Sequence, residues 1–178
     1  AFVLKYRLVP SHLIGKNEGL DEPYSKEKKQ LTYGHLDAQN AIAHVRENAT
    51  KYGIDPNKIG IMGFSAGGAV TIEATYKSNE KNRPNFLAPI YPWMFIVEDQ
   101  EPPAYGPPLF VACTTADKLN LAIPSAQLYI DWAKKGFVCE LHNYHHGDHG
   151  FGMRKTGHPV DNWFENMIDW IEAIGMLN

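Results

Sequence analysis

Three things are scarce in this sequence of 178 residues, and each scarcity excludes a class of protein. Only two cysteines are present, too few for a disulfide scaffold. No apolar stretch is long enough to cross a bilayer as a helix, so no membrane partner is predicted. The formal net charge is −3, so the sequence has no basic footprint for nucleic acid.

The two cysteines, Cys113 and Cys139, each lie in an apolar segment typical of a strand. We therefore predict two buried free thiols. Free thiols favour a reducing compartment, which points to the cytoplasm.

Helical and strand-like segments alternate along the chain, which is typical of a mostly parallel sheet with helices on both faces. The length predicts one domain over residues 1–178. The predicted strands are Phe2–Leu8, Lys58–Phe64, Phe86–Tyr91, Leu109–Thr114 and Val138–Tyr144. The predicted helices are His35–Tyr52, Ala66–Lys77, Pro124–Lys135 and a final amphipathic helix through Val160 and Ile174. Residues 10–33 and 92–107 are predicted loops, and Lys26, Lys28 and Lys29 are expected to be solvated there.

A G-x-S-x-G pattern, Gly63-Phe64-Ser65-Ala66-Gly67, lies between a predicted strand and a predicted helix. This context is typical of a nucleophile elbow, a strained turn that exposes a serine above a sheet. We predict Ser65 as the nucleophile and the Ala66 N–H as an oxyanion donor. Gly63 and Gly67 are expected to leave room for the crossing backbone.

A serine hydroxyl needs a base, and His149 follows the last predicted strand within Gly147-Asp148-His149-Gly150. Its flanking glycines allow a sharp turn that presents the imidazole. The other histidines after Ser65 are less suited to the role. His142 lies inside a strand, His145 and His146 are loop residues near the site, and His158 precedes a helix as a cap.

The base needs an acid to orient it, and Asp117 follows the strand Leu109–Thr114. Asp148 is the alternative, but its adjacency to His149 is poor geometry for orienting that ring. The predicted loops would wall the substrate pocket, and Trp93, Phe95 and Tyr105 are candidates to line it or simply to pack beneath a loop.

With these residues in place, the sequence resembles the bacterial α/β-hydrolase esterases of the acetyl-esterase and acetylxylan-esterase type, including those related to feruloyl esterases. The chain order of Ser65, Asp117 and His149 is that of α/β-hydrolases. The most specific matching stretches are Gly63–Gly68 and His149–Gly152, and supporting matches include Leu4–Leu8, Tyr52–Pro56 and Pro107–Phe110. The resemblance implies hydrolysis of a small carboxylic ester, with Ser65, Asp117 and His149 as the site and no metal or organic cofactor.

The sequence departs from the family pattern at two places. Ala116 stands where family members often carry the first of two acids. The N-terminal strands and the Gly-rich loop that gives the second oxyanion N–H are missing, so the chain opens at what looks like the fourth strand. Three explanations are open: a separate or cleaved N-terminal piece, a truncated chain that repairs its sheet edge with a second copy, or direct pairing of Phe2–Leu8 with Lys58–Phe64.

Three functions remain possible on these residues. The first is an esterase that works through an acyl-enzyme. The second is a serine peptidase of the prolyl-peptidase kind, which usually carries an extra domain. The third is a hydrolase-fold fragment that binds or oligomerises without turnover. Activation of Ser65 distinguishes the first two from the third.

Overall fold

A four-stranded parallel sheet forms the centre of the computed structural model, which describes residues 1–8 and 24–177. The strands pair in chain order. They are β1 Gly60–Phe64, β2 Phe86–Ile90, β3 Leu109–Thr114 and β4 Cys139–Tyr144. All six residues of β3 are buried, as expected for a parallel strand covered on both faces.

Five α-helices accompany the sheet in the described part of the chain. They are α1 Ser25–Glu47, α2 Ala49–Tyr52, α3 Ala66–Tyr76, α4 Ala122–Lys134 and α5 Trp163–Ala173. Short 3₁₀ helices occur at Met94–Ile96 and Pro159–Asn162. The predicted alternation of strands and helices is confirmed from Gly60 onward.

The two faces of the sheet carry separate apolar layers because successive strand residues point to opposite sides. Leu109 and Val111 of β3 pack with side chains of α3 and α4, including Ile72 and Trp132. Phe110 and Ala112 pack instead with α5. The predicted arrangement, with helices on both faces, is confirmed.

Helix α1 starts well before the predicted position and packs against α3. Residues 25–33 were predicted as loop, yet they form its first turns. Lysine, glutamate and glutamine are strong helix formers, but the segment has few apolar residues, so it shows no 3.6-residue period. Leu31 supplies the packing by joining Val70 and Ala74 in a buried cluster. The remainder of the predicted loop, residues 10–23, lies outside the described residues.

The segment Phe2–Leu8 is not a strand, so this prediction is wrong. Its side chains attach it to α1: Arg7 donates from Nε and Nη2 to the Asp37 carboxylate, which also accepts the Arg7 backbone N–H. The Tyr6 ring packs against Gly34 and Val70. In the described residues β1 pairs with β2 alone, which rules out direct pairing of Phe2–Leu8 with Lys58–Phe64 in this structure.

The carboxyl ends of the four strands meet at one edge of the sheet, because all four run parallel. Ser65 follows β1, Tyr91 follows β2, Asp117 lies in the turn after β3, and His149 lies in the loop after β4. Ligands of open parallel sheets bind beyond this edge. The candidate residues therefore lie where such a sheet places its site.

Candidate active site

Ser65 occupies a strained turn between β1 and α3. Its φ of 52° and ψ of −114° lie in a region that side-chain-bearing residues rarely adopt. Three backbone hydrogen bonds hold this conformation: Ser65 N–H to Ile90 O at 3.0 Å, and Trp93 N–H and Ala69 N–H to Ser65 O at 2.9 and 3.1 Å. The turn is thus fixed by the neighbouring strand end and by the first turn of the helix.

The glycines of the motif have different reasons to be there. A Cβ on Gly63 would lie 2.1 Å from Gly67 O, and a Cβ on Gly68 would lie 2.8 Å from Pro92 Cα. Both positions therefore exclude a side chain. A Cβ on Gly67 would meet only the Tyr6 hydroxyl, at 3.6 Å, so the prediction that Gly67 is needed for close backbone crossing is wrong in this structure.

The three candidate catalytic side chains form a chain of two hydrogen bonds. Ser65 Oγ is 2.8 Å from His149 Nε2, and His149 Nδ1 is 2.9 Å from Asp117 Oδ2. The Asp117 side chain is 1% exposed and that of His149 is 21% exposed. The imidazole thus bridges a buried carboxylate and a serine that solvent can reach.

The Asp117 carboxylate is held in place by its own turn. Its Oδ1 accepts the Leu119 N–H at 2.8 Å, which leaves Oδ2 for the histidine. Backbone bonds from Asp117 N–H to Thr114 O and from Asn120 N–H to Asp117 O close the turn after β3. Both carboxylate oxygens are therefore engaged.

Tyr91 is a neighbour of the candidate site that was not predicted from the sequence. Its ring meets the His149 ring edge-to-face at 5.0 Å and the Phe151 ring at 4.5 Å. Burial raises the pKa of the Tyr91 hydroxyl, although the nearby Gly152 backbone opposes the shift. The available signal was its position directly after β2, at the carboxyl edge of the sheet.

The remaining histidines make other contacts. His142 lies in β4, stacks on Phe110 and pairs with Glu140. The rings of His145 and His146 lie 4.3 Å apart, and His146 stacks on His158 at 4.7 Å. His158 makes no side-chain cap on the following 3₁₀ helix, contrary to the capping interpretation.

The three aromatic residues that were candidates to line the pocket lie at different places in the structure. Trp93 lines an apolar cavity of about 170 Å³ together with Tyr6, Leu31, Ala66 and Val70. Phe95 is exposed and stacks on Tyr24, outside the cavity lining.

Tyr105 does not join them, because its hydroxyl bonds to Ser78 and to Thr75 O at the far end of α3. These polar partners fix it away from the turn at Ser65.

Cys113 is the other nucleophilic side chain close to the site. Burial and the nearby Asp117 carboxylate raise the pKa of its thiol to about 12. The thiol is therefore protonated at neutral pH and is a poor nucleophile. Cys113 and Cys139 are both free, as predicted, but Cys139 is only half-buried.

Within residues 1–8 and 24–177, no group of three or more His, Cys, Asp or Glu side chains could hold a metal ion.

The parallel sheet, the strained serine turn and the order of the three site residues together define an α/β-hydrolase fold. Comparison with known proteins agrees with this assignment. The BD-FAE family model matches residues 25–101. The acetylxylan esterase of Xylanibacter ruminicola is 27% identical to the chain over an alignment that covers 78% of it.

Solved structures show the same likeness. An acetyl ester-xyloside bifunctional hydrolase from Caldicellulosiruptor lactoaceticus has a TM-score of 0.66 and 27% identity over 81% of this chain. MGS-M1, an α/β-hydrolase enzyme from a Medee basin deep-sea metagenome library, has a TM-score of 0.68 and 25% identity over 79% of it. The resemblance to α/β-hydrolase esterases is thereby confirmed.

The chain is shorter than these relatives. It spans 35% of the length of the acetylxylan esterase, and 66% and 64% of the two solved structures.

Proposed function

We propose that this chain is a serine esterase whose nucleophile is Ser65. The observation that carries the proposal is the pair of hydrogen bonds that joins Ser65 Oγ to His149 and His149 to Asp117, at 2.8 and 2.9 Å. A base within hydrogen-bonding reach of the nucleophile, itself oriented by a third group, is the arrangement that activates a serine. The esterase relatives support ester hydrolysis over other acyl transfers.

The reaction proceeds through an acyl-enzyme. Ser65 Oγ attacks the ester carbonyl while His149 Nε2 takes its proton, and Asp117 stabilises the imidazolium that forms. His149 then gives the proton to the leaving alcohol. A water molecule, deprotonated by His149, hydrolyses the acyl-enzyme and regenerates Ser65.

The negative oxygen of the tetrahedral intermediate is stabilised at the start of α3. The first amides of an α-helix have no partner within the helix, and their dipoles favour negative charge. The Ala66 N–H is the first of these amides and adjoins the nucleophile. It is the donor that we propose for the oxyanion.

The substrate that we propose is a small ester with a short acyl group, such as an acetylated carbohydrate. The apolar cavity beside Ala66 has a volume of about 170 Å³, which suits a short acyl chain. One relative is named an acetylxylan esterase, and another an acetyl ester-xyloside bifunctional hydrolase.

Hydrolysis of p-nitrophenyl acetate tests the proposal. We expect turnover by the wild type and a loss on the order of 10⁴-fold or more in Ser65→Ala and His149→Gln, because the nucleophile and base act as a unit. His145→Gln is the matched control and should retain activity, since its ring lies against the His146 ring and not against Ser65 or Asp117. A folded wild-type protein without turnover, or equal activity in Ser65→Ala, would refute the esterase.

A further inference from the structure

Two charged residues adjoin the acid and the base in sequence and meet each other in space. Lys118 follows Asp117 in the acid loop, residues 115–120, and Asp148 precedes His149 in the base loop, residues 145–152. Lys118 Nζ forms an ion pair with Asp148 Oδ2. The pair therefore joins the two loops that carry the two ends of the His149–Asp117 hydrogen bond.

Asp148 also bonds to the backbone of both loops. Its Oδ1 accepts the His149 N–H at 2.8 Å and the Lys118 N–H at 3.4 Å. The Lys118 ammonium, together with these backbone bonds, lowers the pKa of Asp148, and the same ion pair raises the pKa of Lys118. A single carboxylate thus holds the main chain of the base and the main chain of the residue after the acid.

Because both side chains of the pair are exposed, we expect the pair to affect the geometry of the two loops more than the free energy of unfolding. The Lys118 side chain is 82% exposed and that of Asp148 is 47% exposed. Exposed ion pairs contribute little to the free energy of unfolding. Their position can matter more than their strength when they fix the distance between two catalytic loops.

We propose that Lys118 and Asp148 form a clamp that holds His149 in register with Asp117 and Ser65. The inference rests on the proposed function, and both members of the clamp are positioning residues. Asp148, the alternative acid in the sequence, accepts a hydrogen bond from the backbone N–H of His149, whereas Asp117 contacts the ring.

The clamp acts on the rate of the chemical step. Misplacement of a catalytic group by about 1 Å can cost on the order of 100-fold in rate, so partial loosening by loss of the clamp should lower kcat about 10-fold. The Michaelis constant should change little, because neither side chain lines the cavity beside Ala66. Salt screens exposed charges, so wild-type kcat should also fall as ionic strength rises.

Four variants test the clamp in the p-nitrophenyl acetate assay. Lys118→Met and Asp148→Asn should lower kcat about 10-fold with an unchanged melting temperature and lose the salt dependence. Lys118→Arg should keep kcat near the wild-type value, because it keeps a positive charge at the same position. Lys135→Met is the matched control, since it removes another exposed ion pair, from Lys135 to Glu101 at 2.8 Å, and should leave kcat unchanged.

A spectroscopic readout separates this inference from the proposed function. The proton between His149 Nδ1 and Asp117 should give a low-field ¹H NMR signal that is absent in His149→Gln. We expect Lys118→Met and Asp148→Asn to broaden or lose it, whether or not the chain hydrolyses the test ester. An intact signal and unchanged kcat in both variants would overturn the clamp. A parallel fall in kcat and melting temperature would overturn it in favour of a purely structural pair. A wild type with the signal but without turnover would count against the esterase alone.

Discussion

At the scale of single residues, the strained turn at Ser65 depends on glycines that allow close backbone approach. Gly63 and Gly68 leave no room for a Cβ, whereas Gly67 does. The motif read from the sequence contains Gly63 and Gly67 as equivalents. The structure separates them, because Gly63 is covered by the backbone of α3 and Gly67 faces the Tyr6 side chain.

Substitution of Gly63 by alanine should therefore lower the stability, whereas the same substitution of Gly67 should not. Gly63→Ala forces its Cβ against Gly67 O and should lower the free energy of unfolding by about 1–3 kcal/mol, typical of overpacking. Gly67→Ala should leave it unchanged or raise it by up to about 1 kcal/mol, since alanine is the better helix former. Urea unfolding of both variants checks this, and a larger loss in Gly67→Ala would contradict the account.

His35 on α1 gives a pH dependence at the same scale. Burial and the nearby Lys77 charge lower the pKa of His35 below its usual 6.5, although Glu73 opposes the shift. Below pH 6.5 His35 is protonated more readily in the unfolded chain than in the folded chain. The free energy of unfolding should therefore decrease as the pH falls through the ordinary histidine range. The drop in melting temperature between pH 7 and pH 5 should be smaller in His35→Gln. An equal drop would show that His35 is not its source.

At the scale of elements, the first eight residues and the sheet differ in how they are held. In the described part of the chain, Phe2–Leu8 is attached to α1 chiefly through Arg7 and Tyr6. Strand β3, in contrast, is paired on both sides and wholly buried. Local opening is easiest where buried contacts and ladder bonds are few.

Hydrogen exchange should reproduce this contrast. We expect backbone amides of residues 2–6 to exchange much faster than those of β3, with Arg7 intermediate because its N–H bonds to Asp37. Mass spectrometry of peptides from the exchanged protein measures it. Strong protection across residues 2–6 would contradict the structure and indicate a strand.

Elements with a strong local pattern could be predicted from the sequence, and elements that depend on distant contacts could not. The predicted bounds of β3 hold because an unbroken apolar run is typical of a central parallel strand. The first turns of α1 could not be predicted because their buried residues are Glu27 and Leu31, of which only Leu31 is apolar. The segment Phe2–Leu8 looks like a strand locally, but a strand also needs a neighbouring strand.

The same division applies to the candidate site. Ser65, Asp117 and His149 could be proposed because each follows a recognisable strand and stands in a short characteristic context. Tyr91 and the Lys118–Asp148 pair could not, since their contacts depend on how two loops and a strand end meet in space. The position of Tyr105 could not be predicted for the same reason, because its partners Thr75 and Ser78 lie at the far end of α3.

At the scale of the whole molecule, the structure joins the hydrogen-bonded Ser65, His149 and Asp117 to a sheet whose first strand has an unpaired edge in the described residues. Within the described residues β1 forms one edge of the sheet with no strand on its outer side, and Met62 on it is exposed. Unpaired edges are templates for another strand. We propose that an N-terminal segment or a second copy of the chain pairs there.

None of the helices in residues 1–8 and 24–177 is long and apolar enough to cross a membrane.

If His149 activates Ser65 as a nucleophile, Ser65 should react covalently with an electrophilic phosphorus reagent. The folded chain is treated with a fluorophosphonate probe, and the modified residue is identified by mass spectrometry. We expect labelling at Ser65 that is lost in His149→Gln and retained in His145→Gln. A folded protein whose Ser65 stays unmodified, or reacts equally well without His149, would contradict it.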